Sequence, residues 1–194
     1  MLKIISAPNS VLSQKAKEVK KIDKSISKFL KEMEKSLLSA NDPVGVGLAA
    51  PQVGRSLQIF IAKPTSKSKI KVFINPKIIQ NTKISHLTID SDRINSLNTS
   101  LSKKSQGTKL EGCLSLPNIW GGVKRAPSVK ISYMDEQGRK YSKKFNGFLA
   151  TIVQHEMDHL NGILFSKRVL EQKGTLYKSS KNEKGEEIFE EIEI

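Results

Sequence analysis

With a single cysteine, Cys113, the chain cannot close an internal disulfide. The thiol is left as a small packed side chain, a nucleophile or a metal ligand, and its neighbours must decide which. Nowhere does an apolar run approach the roughly 18 residues that a membrane-spanning helix needs, so no membrane association is expected. The opening MLKIISAPNS lacks the long apolar stretch and cleavage site of a secretory leader. It also lacks the Arg- and Ser-rich character of an organelle transit peptide, and a cytosolic location is expected. No internal repeat is visible. Histidine is scarce as well, with only three in the chain, so the positions of those three carry weight.

What is present is enough apolar material for one folded unit. At 194 residues, with 37% hydrophobic and 27% charged side chains, the chain is read as a single globular domain spanning residues 1–194. The net charge of +14 is unevenly spread. Residues 183–194 hold one Lys and six Glu, so an acidic tail follows a body of residues 1–182 that carries +19. The excess Lys is dispersed or gathered in SKSKIK and SKK clusters without interleaved aromatic rings, a pattern that argues against nucleic-acid binding as the main function. Ribosome contact, if made, is expected through the basic body.

Between Asp23 and Ala40 the apolar residues Ile26, Phe29, Leu30, Met33 and Leu37 recur at helical spacing behind a candidate N-cap, Asp23. NDPVGVGLAAPQVG reads as a Gly- and Ala-rich loop leading into a strand at SLQIFIAK. A second strand, IKVFINP, is closed by Asn75-Pro76, and a hairpin is the natural connection between the two. A polar insertion follows at about 82–106 and reads as a long surface loop. VKISYMDEQGRKYSKKF alternates as two strands around Glu136-Gln137-Gly138. FLATIVQHEMDHLNG reads as a helix stopped at Gly162, and IFEEIEI as a C-terminal strand with Ile188, Ile192 and Ile194 on one face. The fold class expected is α+β, with antiparallel or mixed strands packed around a central helix bearing HExxH.

That motif, His155-Glu156-Met157-Asp158-His159, is the strongest chemical signal. Residues i and i+4 share a helix face and can aim two imidazoles at one metal ion. The intervening Glu can carry a proton from metal-activated water to a leaving nitrogen. A catalytic metal usually takes three protein ligands. Glu171 is the nearest acid downstream, His86 lies in the polar insertion, and Cys113 stands in Glu111-Gly112-Cys113-Leu114-Ser115-Leu116-Pro117. The residues alone leave these three open.

Three segments together resemble the peptide deformylase family: GVGLAAPQ at 45–52, EGCLSLP at 111–117 and QHEMDHLNG at 154–162, in the family's order. The leading LKIISAPNSVLSQKAKEV resembles the family's opening. The resemblance implies hydrolysis of the formyl group from N-formyl-methionyl nascent peptides, with release of formate. It implies Cys113, His155 and His159 as ligands of one divalent metal, Fe²⁺ with Zn²⁺, Ni²⁺ or Co²⁺ as substitutes, and metal-bound water as nucleophile. Glu156 would be the general acid/base, and Gln52 with the backbone N–H of Leu114 the oxyanion donors. Val46, Gly47 and Gly112 would pair with the substrate backbone. Val46, Glu111, Phe148, Thr151 and Ile152 would line the methionine pocket. Two features depart from the family: the insertion, and an acidic tail where some members carry a basic helix. A zinc peptidase would need only the HEMDH helix and leaves Cys113 without a role. An RNA-binding module accounts for the charge and leaves the three motifs unexplained.

Overall fold

The computed structural model describes residues 1–41, 43–81 and 110–193. The whole expected insertion at 82–106, with His86, lies outside the described residues. Helix α1 (Lys24–Ser39) begins where the sequence placed it, because Asp23 Oδ1 accepts the Ile26 N–H at 3.1 Å and satisfies an amide that a helix start leaves unpaired. Its stripe of Ile26, Phe29, Leu30, Met33 and Leu37 is buried.

The stripe covers one face of a five-stranded sheet, ordered β1 (Gly47–Ala49), β2 (Ile59–Ala62), β3 (Lys71–Asn81), β6 (Ser128–Met134) and β7 (Lys140–Asn146). Alternation along these strands divides their side chains between two cores. Ile59, Ile61, Val72 and Ile74 turn toward α1. Phe60, Ala62, Phe73, Val129, Ile131 and Phe145 turn to the opposite face, where helix α2 (Gly147–Leu160) lays down Ala150, Ile152, Val153 and Met157. Phe60 and Phe73 stack at 4.4 Å between ring centroids, and Phe145 meets Phe73 edge-on at 5.6 Å. With a helix on each side, β2 and the start of β3 have to be apolar throughout, which is why they read as unbroken hydrophobic runs.

A second sheet takes the order β4 (Leu110–Cys113), β5 (Leu116–Gly122), β8 (Leu176–Lys181) and β9 (Glu187–Glu191). Helix α3 (Phe165–Glu171) packs against it through Phe165 and Val169. Every pairing between these named strands is antiparallel, so the α+β expectation holds in its antiparallel form.

Three boundaries differ from the sequence reading. The Gly- and Ala-rich loop contains β1, whose Gly47, Leu48 and Ala49 pair with Ala62, Ile61 and Phe60, and a 3-10 turn over Ala50–Val53. Strand β3 does not stop at Asn75-Pro76. Asn75 takes a φ of 49°, its side-chain amide bonds the Val19 backbone in both directions at 2.8 and 2.9 Å, and the register shift absorbs Pro76 before pairing resumes to Asn81. At the C-terminus the strand forms, but its inward side chain is Phe189, edge-on to Trp120 at 6.2 Å, while Ile188 is exposed. The aromatic contact sets this register in place of the isoleucine parity. Ile192 packs on the body only past the strand's end.

Arg125 ties the two sheets' elements together. Its Nε and Nη2 donate to both oxygens of Glu111 on β4 at 2.9 Å each, and its Nη1 donates to Asp158 Oδ2 on α2 at 2.6 Å. All three side chains are at least nine-tenths buried. Replacing Arg125 with Met leaves two buried carboxylates facing each other, so urea unfolding should show a loss of about 3–5 kcal/mol. Arg125→Lys should recover only part of it, since an ammonium cannot reproduce the planar fork. A Met variant as stable as the parent would remove the fork from the account of the fold. For the C-terminal hairpin, Phe189→Ala should lower stability by roughly 1 kcal/mol and shift the emission of Trp120, the chain's one tryptophan, to the red. Unchanged emission would mean that Phe189 does not rest on Trp120 in solution.

Candidate metal centre

Helix α2 presents His155 and His159 one turn apart, with ring centroids 5.0 Å apart and planes at 71°. Strand β4 delivers Cys113 opposite them, and one ligand atom from each of the three lies within 4.8 Å of the others. Cys113 Sγ stands 3.2 Å from His159 Nε2, and it accepts hydrogen bonds from the Ser115 N–H at 3.4 Å and from Gln52 Nε2 at 3.5 Å. Burial acts to raise the thiol's pKa, and the neighbouring His159 and His155 overcome it, holding the sulfur well below its ordinary value.

A thiolate and two imidazoles converging in a buried space form a donor set that suits a divalent transition metal with one position left for water or substrate. Outer partners orient the ligands in the way such sites require. His155 Nδ1 lies 3.0 Å from Glu111 Oε2, and its ring stacks beside Phe165 at 6.1 Å between centroids. Glu111 is also buried, a cost that Arg125 and His155 outweigh, so its carboxyl is lowered to about 2. Burial likewise opposes a charge on His155, but Cys113 and Glu111 hold the imidazole well above its usual value. Of the ligand candidates left open by the sequence, Glu171 pairs with Arg168 Nη1 at 3.1 Å on α3 and stands outside the cluster.

Glu156 is the exception among the acids here. It is 3% exposed, burial pushes its carboxyl up to about 7, and its Oε2 has no hydrogen-bond partner among the described residues. Strand β1 passes directly over it. A Cβ built on Gly47 would run into Glu156 Oε1 and come within 3.0 Å of Ile152 Cγ2, so the glycine is what lets the strand approach the carboxylate. Gln52 is held by the backbone three residues before it: Oε1 accepts the Ala49 N–H at 2.8 Å, which directs the amide nitrogen to the sulfur.

The remaining expected residues lie on or next to the elements that carry the centre: Val46 before β1, Glu111 and Gly112 on β4, Leu114 just after it, and Phe148, Thr151 and Ile152 on α2. Gly112 precedes Cys113 on β4, and the Trp120 ring lies 2.9 to 3.1 Å from where its Cβ would be. Leu114 follows Cys113 and packs partly against the α1 core, while Val46 packs against the α2 core. On α2, Ile152 is buried, Thr151 is half-buried and Phe148 is a large apolar side chain 46% exposed to solvent. Arg125, Asp158 and Arg168 escaped the sequence reading. Arg168 adds two bonds to Asp158, at 2.7 and 3.1 Å, so Asp158 is held from two sides. Arg125 and Arg168 are two of only five arginines among the 33 basic residues, but nothing local in the sequence pairs either of them with Asp158.

Comparison with known proteins agrees with this geometry. The family model for polypeptide deformylase matches residues 1–174. The chain is 36% identical over 169 residues to peptide deformylase 1 of Bacillus cereus, covering 87% of this chain and 92% of that protein. It is 38% identical over 166 residues to the peptide deformylase of Synechocystis, covering 83% and 75% respectively. Among solved structures it superposes on a peptide deformylase from Synechococcus elongatus in complex with actinonin with a TM-score of 0.69 at 36% identity, over 86% of this chain and 78% of that one. The Thermotoga maritima peptide deformylase gives the same TM-score at 30% identity, over 87% and 97%. With a Cys113-His155-His159 cluster in its fold, a family model matching residues 1–174 and relatives more than 30% identical over most of both chains, this chain belongs to the polypeptide deformylase family.

Proposed function

We propose that the protein hydrolyses the formyl amide of N-formyl-methionyl nascent peptides and releases formate. The observation that carries the reading is the convergence of Cys113, His155 and His159 within 4.8 Å, next to the buried and unpartnered Glu156 carboxylate. A divalent ion held by Cys113, His155 and His159, Fe²⁺ in our reading, with Zn²⁺, Ni²⁺ or Co²⁺ as substitutes, would supply Lewis acidity and make a water easier to deprotonate for attack on the formyl carbon. Glu156 takes the proton of the attacking water and delivers it to the departing nitrogen. Its position in an apolar enclosure suits it to both transfers. The Gln52 amide and the Leu114 N–H donate to the oxygen that becomes anionic. Because Gln52 is fixed by Ala49, little reorganisation accompanies that step.

Sheet topology supports a substrate lane at this centre. Among the described residues, β1 pairs only with β2 and β4 only with β5, so the strand that passes over Glu156 and the strand that carries Cys113 are both edge strands. An extended peptide laid against Val46, Gly47 and Gly112 adds a strand there, a mode that reads main chain and tolerates varied sequences. Its methionine side chain would enter between Val46, Phe148, Thr151 and Ile152. The Glu111 carboxylate is committed to Arg125 and His155, so in our reading it contributes to the pocket wall through its stem and backbone. The reading carries with it a cytosolic location, one catalytic domain bearing the 82–106 insertion and the acidic tail, and ribosome contact through the basic body. Among the described residues no helix is long and apolar enough to cross a membrane.

A formyl-Met tripeptide assayed beside its acetylated and unformylated counterparts tests the reaction: formate should appear from the first alone, and a chelator should stop it. Cleavage of an internal peptide bond instead would make the protein a peptidase. Glu156→Gln should keep the metal and lose on the order of 10²–10⁴-fold in turnover; near-normal formate release would assign the proton transfers elsewhere. Cys113→Ser replaces a soft ligand with a hard one and should weaken binding of Fe²⁺ and Zn²⁺. Equal affinity in a metal titration would move the third ligand to another residue.

A further inference from the structure

The face of the five-stranded sheet that carries α1 is only partly covered. Following the register, Ile59, Ile74 and Met134 lie in one row beneath the helix, and Lys140 ends that row on β7. In the next rows the face changes character. Lys77 pairs with Ser132 and Ser132 with Ser142, then Gln80 pairs with Lys130 and Lys130 with Lys144. Val129 and Ile131 point to the opposite core, so Lys130 and Ser132 point outward on this side. Lys130 and Lys144 therefore stand directly across from each other, with Cβ atoms about 5 Å apart, an arrangement that destabilises a sheet unless something compensates. No acid among the described residues does so. Glu18 is engaged with Lys77 at 2.9 Å, and Asp135 with Arg139 at 2.7 Å, while Lys130, Lys140 and Lys144 make no ion pair among the described residues.

We propose that this lysine face of β3, β6 and β7 binds the phosphate backbone of RNA, docking the protein with its metal centre turned away from the nucleic acid. Lys140, Ser142 and Lys144 follow each other at about 7 Å intervals along one side of β7, alternating cation with hydroxyl donor. That supplies both the charge and the hydrogen bonds that phosphate oxygens accept, and it offers no base-stacking ring, so recognition is independent of sequence. Helix α2, which carries His155 and His159, packs on the other face of the sheet. A polyanion held on the α1 side would therefore leave the α2 face, with the metal-site histidines, turned away from it. The choice of RNA among polyanions rests on the proposed action on nascent chains.

The test uses the full-length, metal-loaded protein, a fluorescently labelled single-stranded RNA of arbitrary sequence, and a salt titration. Lys130→Gln/Lys144→Gln should weaken binding and reduce the slope of log affinity against log salt by between one and two. Its melting temperature should be equal or higher, because the opposed pair is gone. Lys31→Gln/Lys35→Gln, which removes the same charge from exposed positions on α1, should leave the slope near that of the parent. Equal losses in the two double variants would reduce the effect to net charge and overturn the assignment. So would an unchanged slope in the first variant, or binding to phosphatidylserine vesicles without binding to RNA. Hydrolysis of a formyl-Met tripeptide is followed in parallel. RNA binding by a protein that releases no formate would sink the proposed reaction and leave this surface standing, and the converse result would do the opposite.

Discussion

Strand β4 belongs to one sheet and helix α2 packs on the other, and the Arg125 guanidinium is the group to which both of them bind. The spacing between Cys113 on the strand and the two histidines on the helix depends on it. Had the two carboxylates faced each other without that cation, burial would have forced one of them to take up a proton or to move into solvent. With it, Glu111 stays ionised and can hold His155 by Nδ1, leaving the other ring nitrogen for the centre. The fork, the second carboxylate and the ligand histidine form one chain of charge-assisted bonds running from the helix to the strand and back. Arg168 extends it onto α3 through Asp158.

Against that network Glu156 is distinguished by what surrounds it. It sits two residues from Asp158 on the same helix, equally buried, yet Asp158 receives two guanidinium groups and Glu156 receives no partner among the described residues. Two acids on one helix are thus given opposite surroundings, and the separation of paired from unpaired carboxylates is how a site divides structural from chemical duties. The same economy appears in Gln52, which spends its oxygen on Ala49 so that its nitrogen is fixed toward the sulfur.

Much of this was legible from the residues because it is local. The α1 stripe, the helical pair His155 and His159, and the turn at Glu136-Gln137-Gly138 all depend on spacing within a few positions, and the structure contains each of them. Where the reading slipped, a distant partner decided. Nothing near Asn75 announces that Val19 will bond its side chain and carry β3 past the proline. Phe189 overrides the isoleucine alternation because Trp120, far away in sequence, waits across β8. Arg125 is one basic residue among many until the folded chain sets it between Glu111 and Asp158. Chemistry carried by fixed motifs survives in a one-dimensional string, whereas clasps between sheets do not.

One consequence of the helix bearing both acids concerns how this sequence can change over generations. Each α-helical residue advances about 100° around the axis, so gaining or losing one residue within α2 would swing everything beyond it by more than a quarter turn. Depending on where it fell, the change would part the histidines from each other or turn Asp158 away from its arginines. Substitutions along this helix can be sampled one at a time. Changes in its length cannot, and lineages descending from this chain should carry α2 at a constant number of residues between Asn146 and Gly162 even where loops elsewhere grow or shrink.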